Sequence, residues 1–144
     1  WKALGPSAPL AVSRFNAQDL ANTAWSFAAL FVPHAPLLDA ISAAAINTIS
    51  YYAPQALANT AWSVATRGVR DVPLLDSIAS ASIASCSQFQ VQALANTAWS
   101  WAHLALGHRP LLQAIASASR ARITAFEPRD LANPAWAAAT MQFR

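Results

Sequence analysis

Asn22, Asn59, Asn96 and Asn133 stand 37 residues apart, each inside nearly the same heptapeptide: LANTAWS at 20–26, 57–63 and 94–100, then LANPAWA at 131–137. A carboxamide carries two donors and an acceptor, enough to engage the edge of a nucleobase or to bond a neighbouring helix. Gln18, Gln55 and Gln92 precede the first three asparagines by four residues, and Ser26, Ser63 and Ser100 follow them by four. Four residues is about one helical turn, so each triplet lines one edge of a helix. Modular helical proteins read single-stranded RNA with side chains placed in this way, at one regular position per repeat. A neighbouring column varies as a discriminating position must: Ala29 and Leu30, Thr66 and Arg67, His103 and Leu104, Thr140 and Met141. The candidate binding surface is therefore Gln18, Asn22, Ser26, Gln55, Asn59, Ser63, Arg67, Gln92, Asn96, Ser100, His103, Arg129 and Asn133. The competing reading makes the asparagines a structural ladder that bonds one helix to the next.

The other chemistry-bearing residues assemble no reaction centre. His34, Asp71 and His108 share one repeat column, which invites a metal. Packed helices, however, lie ~8–10 Å apart, while a zinc ion sits ~2 Å from its ligands. Cys86 falls in the column of Ile49 and Ile123 and reads as a core residue; Trp101 falls in that of Phe27 and Val64 and reads the same way. Nucleophile elbow, phosphate loop and metal-ligand spacing are all missing. The expectation is a binding protein, with no catalytic residue, metal or cofactor.

Composition agrees. Of the 144 residues 56% are hydrophobic and 10% charged, against ~25% charged in an average domain. No formally charged residue stands between Ser77 and His108, counting histidine as neutral. That stretch is still no membrane span. Ser80, Ser85, Gln88, Gln90, Gln92 and Asn96 interrupt it, and a span needs ~20 mainly apolar residues. Nine basic and six acidic residues leave a net charge of +3, little for a protein that holds phosphates. Arg67, Arg70, Arg109, Arg120, Arg122 and Arg129 are the cations available for a local stripe. A single cysteine excludes an internal disulfide framework.

A fixed period of this size signals stacked supersecondary units. PLL recurs at 36–38, 73–75 and 110–112, and an aromatic residue at Phe15, Tyr52, Phe89 and Phe126. The chain divides into units 15–51, 52–88 and 89–125 and a half unit 126–144, preceded by 1–14 as a degenerate or partial unit. Each full unit reads as two helices, A over about 17–31 and B over about 36–49 in the first. Pro54, Pro128, Pro36, Pro73 and Pro110 fall in first turns, where a missing N–H costs nothing. At ~100° per residue, Leu20, Ala21, Ala24, Trp25, Phe27, Ala28 and Phe31 form a ~160° apolar arc. That width suits a helix packed on its partner and on the next unit, with the tryptophans filling gaps between units. Gln18, Asp19, Asn22, Thr23, Ser26, Ala29 and Leu30 form the opposite, polar arc. Pro134 replaces the threonine of the other units and predicts an irregular helix there.

The unit F-x-x-Q-x-LANTAW resembles the heptatricopeptide repeat, and the closely similar octotricopeptide repeat with its F-x-P-Q-x-LAN-x-x-W motif. The resemblance covers 15–144, about nine tenths of the chain, with YAPQALANTAWSVA at 52–65 as the nearest copy. The period of 37 and PLL in place of PPPEW favour the heptatricopeptide type. The resemblance implies an all-α solenoid, here of about three and a half units. It further implies single-stranded RNA as partner and work in RNA processing, stability, translation or ribosome assembly in an organelle, chloroplast or mitochondrion. The low charge supports the alternative of a protein–protein scaffold in a large organellar assembly, such as a ribosome or an energy-converting membrane complex.

Overall fold

The computed structural model describes residues 12–125 together with residues 127, 128, 132, 135 and 139. Residues 12–125 contain helices and turns and no strand. Helices α1 (Ala17–Ala29), α3 (Pro54–Thr66) and α5 (Val91–His103) are the A helices; α2 (Ala35–Thr48), α4 (Val72–Ser85) and α6 (Arg109–Arg120) are the B helices. Each A helix begins 37 residues after the last, and so does each B helix. Short 3-10 turns at Ile49–Tyr51, Cys86–Gln88 and Ile123–Ala125 follow the B helices. The first A helix is two residues shorter than its sequence predicts, because its chain leaves the helix through a left-handed residue.

Neighbouring A helices make the most extensive contacts, α1 on α3 and α3 on α5, while B helices stack on B helices in a second layer. This is the packing of an α-solenoid. The A–A seam is lined by alanine: Ala21, Ala24 and Ala28, then Ala58, Ala61 and Ala65, then Ala95, Ala98 and Ala102, all buried. Small side chains let helix axes approach, since interaxial distance depends on what stands at the contact. Leu20, Leu57 and Leu94 point to the B layer and join Leu37, Ile41, Leu74, Leu75, Ile78, Leu111 and Ile115 in one core. Trp101 is fully buried and Cys86 is buried, as their columns predict. Burial pushes the Cys86 thiol pKa up, with the Arg122 guanidinium pulling the other way.

Helix ends follow one plan in the three described units, except that among the A helices only α1 has a side-chain cap, the Asn16 capping box. The aromatic column stands just before the A-helix cap, five residues ahead of the leucine of LANTAW, as in a hydrophobic staple. Phe89 and Tyr52 are buried there. The B helices carry proline in the first turn and are capped by the column that had suggested a metal. His34 Nδ1, Asp71 Oδ1 and His108 Nδ1 accept from the amides of Leu37, Leu74 and Leu111, at 3.1, 3.1 and 3.2 Å. Each of these side chains serves its own helix.

Each A helix ends in a Schellman motif. The amides of Val32, Val69 and Leu106 return to the carbonyls of Phe27, Val64 and Trp101, and those of Phe31, Gly68 and Ala105 to Ala28, Ala65 and Ala102. The motif needs a left-handed residue, and φ is +53° at Phe31, +66° at Gly68 and +54° at Ala105. Only the middle unit has glycine there. A Cβ at Gly68 would meet nothing within 4 Å, so Gly68→Ala isolates the backbone term. It should destabilise the array by on the order of 1 kcal/mol, and Ala105→Gly should stabilise it by a similar amount. Thermal melts check both: midpoints should move down and up by about 3 °C.

The Tyr52 hydroxyl is buried with no protein hydrogen-bond partner, and burial pushes its pKa up to about 12. The unfolded phenol ionises near 10.0. Between those values the unfolded state has released a proton that the folded state keeps, so stability falls as pH rises. The loss across the window is on the order of 2 kcal/mol. Tyr52→Phe matches Phe15 and Phe89 in the same column. Its denaturant midpoint should equal or exceed that of the parent at pH 7, and it should lack this part of the decline between pH 10 and 12.

Candidate functional site

Position along an A helix decides what each polar side chain can do. Gln18, Asn22, Trp25 and Ala29 fall within a ~60° arc at ~100° per residue, and so do their counterparts in the next two units. Gln18, Gln55 and Gln92 are exposed; Asn22 is exposed and Asn59 and Asn96 are partly buried. Trp25 is 47% exposed, and Trp62 and Trp99 are partly exposed. The fourth place in this stripe is Ala29, Thr66 or His103. Stacking of the A helices sets three such stripes side by side.

Two parts of the sequence reading change here. Trp25 and Trp62 meet between their units, as expected, but Trp25, Trp62 and Trp99 are incompletely enclosed and stand at the edge of the apolar arc, beside the asparagines. The ring centroids of Trp25 and Trp62 lie 6.4 Å apart with their planes at 34°. In the third unit His103 stacks on Trp99 at 4.6 Å and 17°. The spacing of Trp25 from Asn22 and Gln18, three and seven residues, already puts them on one face, and that was the signal available in the sequence.

The serines move the other way. Ser63 and Ser100 are fully buried, as are Thr60 and Thr97, and Leu104 is buried with them. They line the flank that each A helix turns to the preceding one. Ser26 and Leu30, on the outer flank of the first unit, are exposed. Burial is possible because every hydroxyl is satisfied inside its own helix. Ser26, Ser63 and Ser100 donate to the carbonyls of Asn22, Asn59 and Asn96 at 2.8, 2.6 and 2.7 Å. Thr23, Thr60 and Thr97 donate to Asp19, Ala56 and Ala93 in the same way. Ser63 and Ser100 are therefore unavailable to a ligand.

The amides remain. Gln18 Nε2 donates to Asn22 Oδ1 at 2.8 Å, and Gln55 Nε2 to Asn59 Oδ1 at 2.9 Å. Each bond leaves the asparagine N–H donors and the glutamine carbonyl uncommitted, a donor–acceptor set of the kind base edges match. Among the described residues no side-chain bond joins one asparagine to the next, so the helices are not tied through an asparagine ladder.

The arginines divide similarly. Arg70 donates through Nε at 2.9 Å, and through Nη2, to the Leu104 carbonyl of the following unit. Arg122 donates to the carbonyls of Ser87 and Phe89. Both staple backbone ends and leave any cationic stripe. Arg67 ends α3 with its guanidinium 6.0 Å from the centre of the exposed Phe31 ring. Arg109 and Arg120 are exposed at the two ends of α6, on the B layer. Arg129 and Asn133, with Leu131, Pro134 and Trp136, lie outside the described residues.

Asparagine inside a helix costs about 0.6 kcal/mol relative to alanine, and here it returns no bond between units. The double change Asn59→Ala and Asn96→Ala should leave the melting temperature unchanged or raise it. A fall of more than about 3 °C would restore the structural ladder.

A family model described as RNA-editing substrate-binding complex 6 protein matches residues 3–144. No curated protein matches the chain.

Proposed function

Since the chain belongs to the family of the RNA-editing substrate-binding complex 6 protein, we propose that it is a single-stranded RNA-binding module of an organellar RNA-processing assembly. The observation that carries this reading is the column of glutamine and asparagine on one face of each described A helix, with exposed glutamines and with Gln18–Asn22 and Gln55–Asn59 joined by hydrogen bonds. A protein that reads unpaired bases needs such edges on a rigid, regularly spaced support. We take the units to be of the heptatricopeptide type, about three and a half of them in this chain, and the module to bind rather than catalyse. The organelle follows from the repeat resemblance, and the family lends the chloroplast no support.

The described residues contain no helix long and apolar enough to cross a membrane. Protein neighbours are a second class of partner. The outer flank of α1, with Leu30 70% exposed, supports the scaffold reading for that end of the array.

The test is binding of single-stranded and double-stranded RNA of equal length at two salt concentrations. The parent chain should prefer the single strand. The Asn59/Asn96 double change to alanine should weaken that binding about tenfold while remaining folded. Arg67→Gln should flatten the salt dependence by about 0.7 in log–log slope, the share of one phosphate contact. Absence of RNA binding by the parent chain at low salt would leave the scaffold reading in its place.

A further inference from the structure

We propose that Trp25, Trp62 and Trp99 are a nucleobase-stacking platform, so that RNA is held on this surface by the faces of its bases more than by its phosphates. This rests on the RNA-binding reading and adds to it the residues that carry affinity.

Exposure separates these tryptophans from a packing residue on the same helix. Trp101 is 1% exposed and belongs to the hydrophobic core. Trp99, two residues away, stays partly open. Trp62 is the clearest case. Its helix is flanked on both sides by described A helices, α1 and α5, and it is still partly exposed. The partial exposure is a property of the stripe and not of the end of the array.

The spacing suits a base. Stacked bases lie about 3.4 Å apart, so one base between two rings needs about 6.8 Å. The Trp25 and Trp62 centroids are 6.4 Å apart with their planes tilted by 34°, the range of an aromatic pair in contact, so a base either parts the two rings or stacks on an exposed indole face beside them. Asn22 and Asn59, three residues before these rings on the same face, stand where they can meet the edge of a base stacked there. The third ring is already covered on one face by His103, which leaves the first pair as the open slot.

Charge favours the same conclusion. Binding through phosphates needs several uncommitted cations along the strand path. Arg70 and Arg122 are spent on backbone carbonyls, and among the described A helices and their C-caps Arg67 is the one Lys or Arg. Stacking on an aromatic ring needs no cation, and every base has a π-face.

The experiment uses the 144-residue chain and two 12-nucleotide probes: single-stranded oligouridylate, and an abasic ribose-phosphate strand of the same length. The expected results are quenching of tryptophan fluorescence by oligouridylate, binding of the abasic strand at least tenfold weaker, and a log–log salt slope shallower than about −2. Trp25→Leu with Trp62→Leu keeps apolar bulk without the indole face. It should lose at least tenfold in oligouridylate affinity at an unchanged salt slope. Should the double variant melt early, Trp25→Leu alone, at the most exposed of the three, should still lose several-fold. Equal affinity for the two strands overturns the platform, and so does undiminished binding by a folded tryptophan variant; in both cases RNA binding itself stands. A parent chain that binds neither strand overturns the RNA reading together with the platform.

Discussion

Close approach of one A helix to the next is the constraint on which the rest of the molecule depends. Nine alanines line that seam, and all are buried. An interface of this kind stabilises through many small contacts at short interaxial distance, with little help from any single large side chain. It also fixes orientation. With one flank given to the preceding helix, the other to the following helix and the inner face to the B layer, an A helix keeps a single narrow stripe for solvent. Whatever the protein binds on this side must be met by residues of that stripe.

Polar residues survive inside the seam because the helix itself satisfies them. A serine or threonine hydroxyl that donates to the carbonyl four residues back carries no unpaired proton into the interior. Thr60, Ser63, Thr97 and Ser100 are buried in this way. The links between units are few and directional. Ser42 donates to Asp71, which also caps α4, while Arg70 and Arg122 reach carbonyls of adjacent turns. Where Asp71 becomes His108 in the next unit, the Ser42 column becomes Ala79, so the cap stays and the inter-unit bond goes.

These economies shape the candidate surface. Arg70 and Arg122, which could have made it more basic, are occupied in holding the array together, and Ser63 and Ser100, which could have widened it, are folded into the seam. Carboxamides and indoles are left, with Arg67 and His103 at the margins. A surface of that composition recognises planar, edge-rich ligands better than it recognises charge, in keeping with the family's description as an RNA-editing substrate-binding complex protein.

The 37-residue period made the two-helix unit legible in the sequence, because identical neighbours must pack identically and each column must repeat its environment. The same columns made Cys86 and Trp101 legible as core, and the first-turn prolines marked where the helices begin. One helix projected alone, however, has only an inside and an outside. On that scheme Thr60, Ser63 and Leu104 belong with Asn59 on the wet side, and Trp62 belongs in the core. The stacked array gives each A helix two flanks as well, and local back-bonding makes the threonine–serine flank dry. Only the tertiary structure could therefore decide which half of the polar arc faces solvent, that the tryptophans stay partly open to it, and that Arg70 and Arg122 are committed to backbone carbonyls. Those outcomes depend on which surfaces meet in space, and no periodicity along the chain encodes that directly.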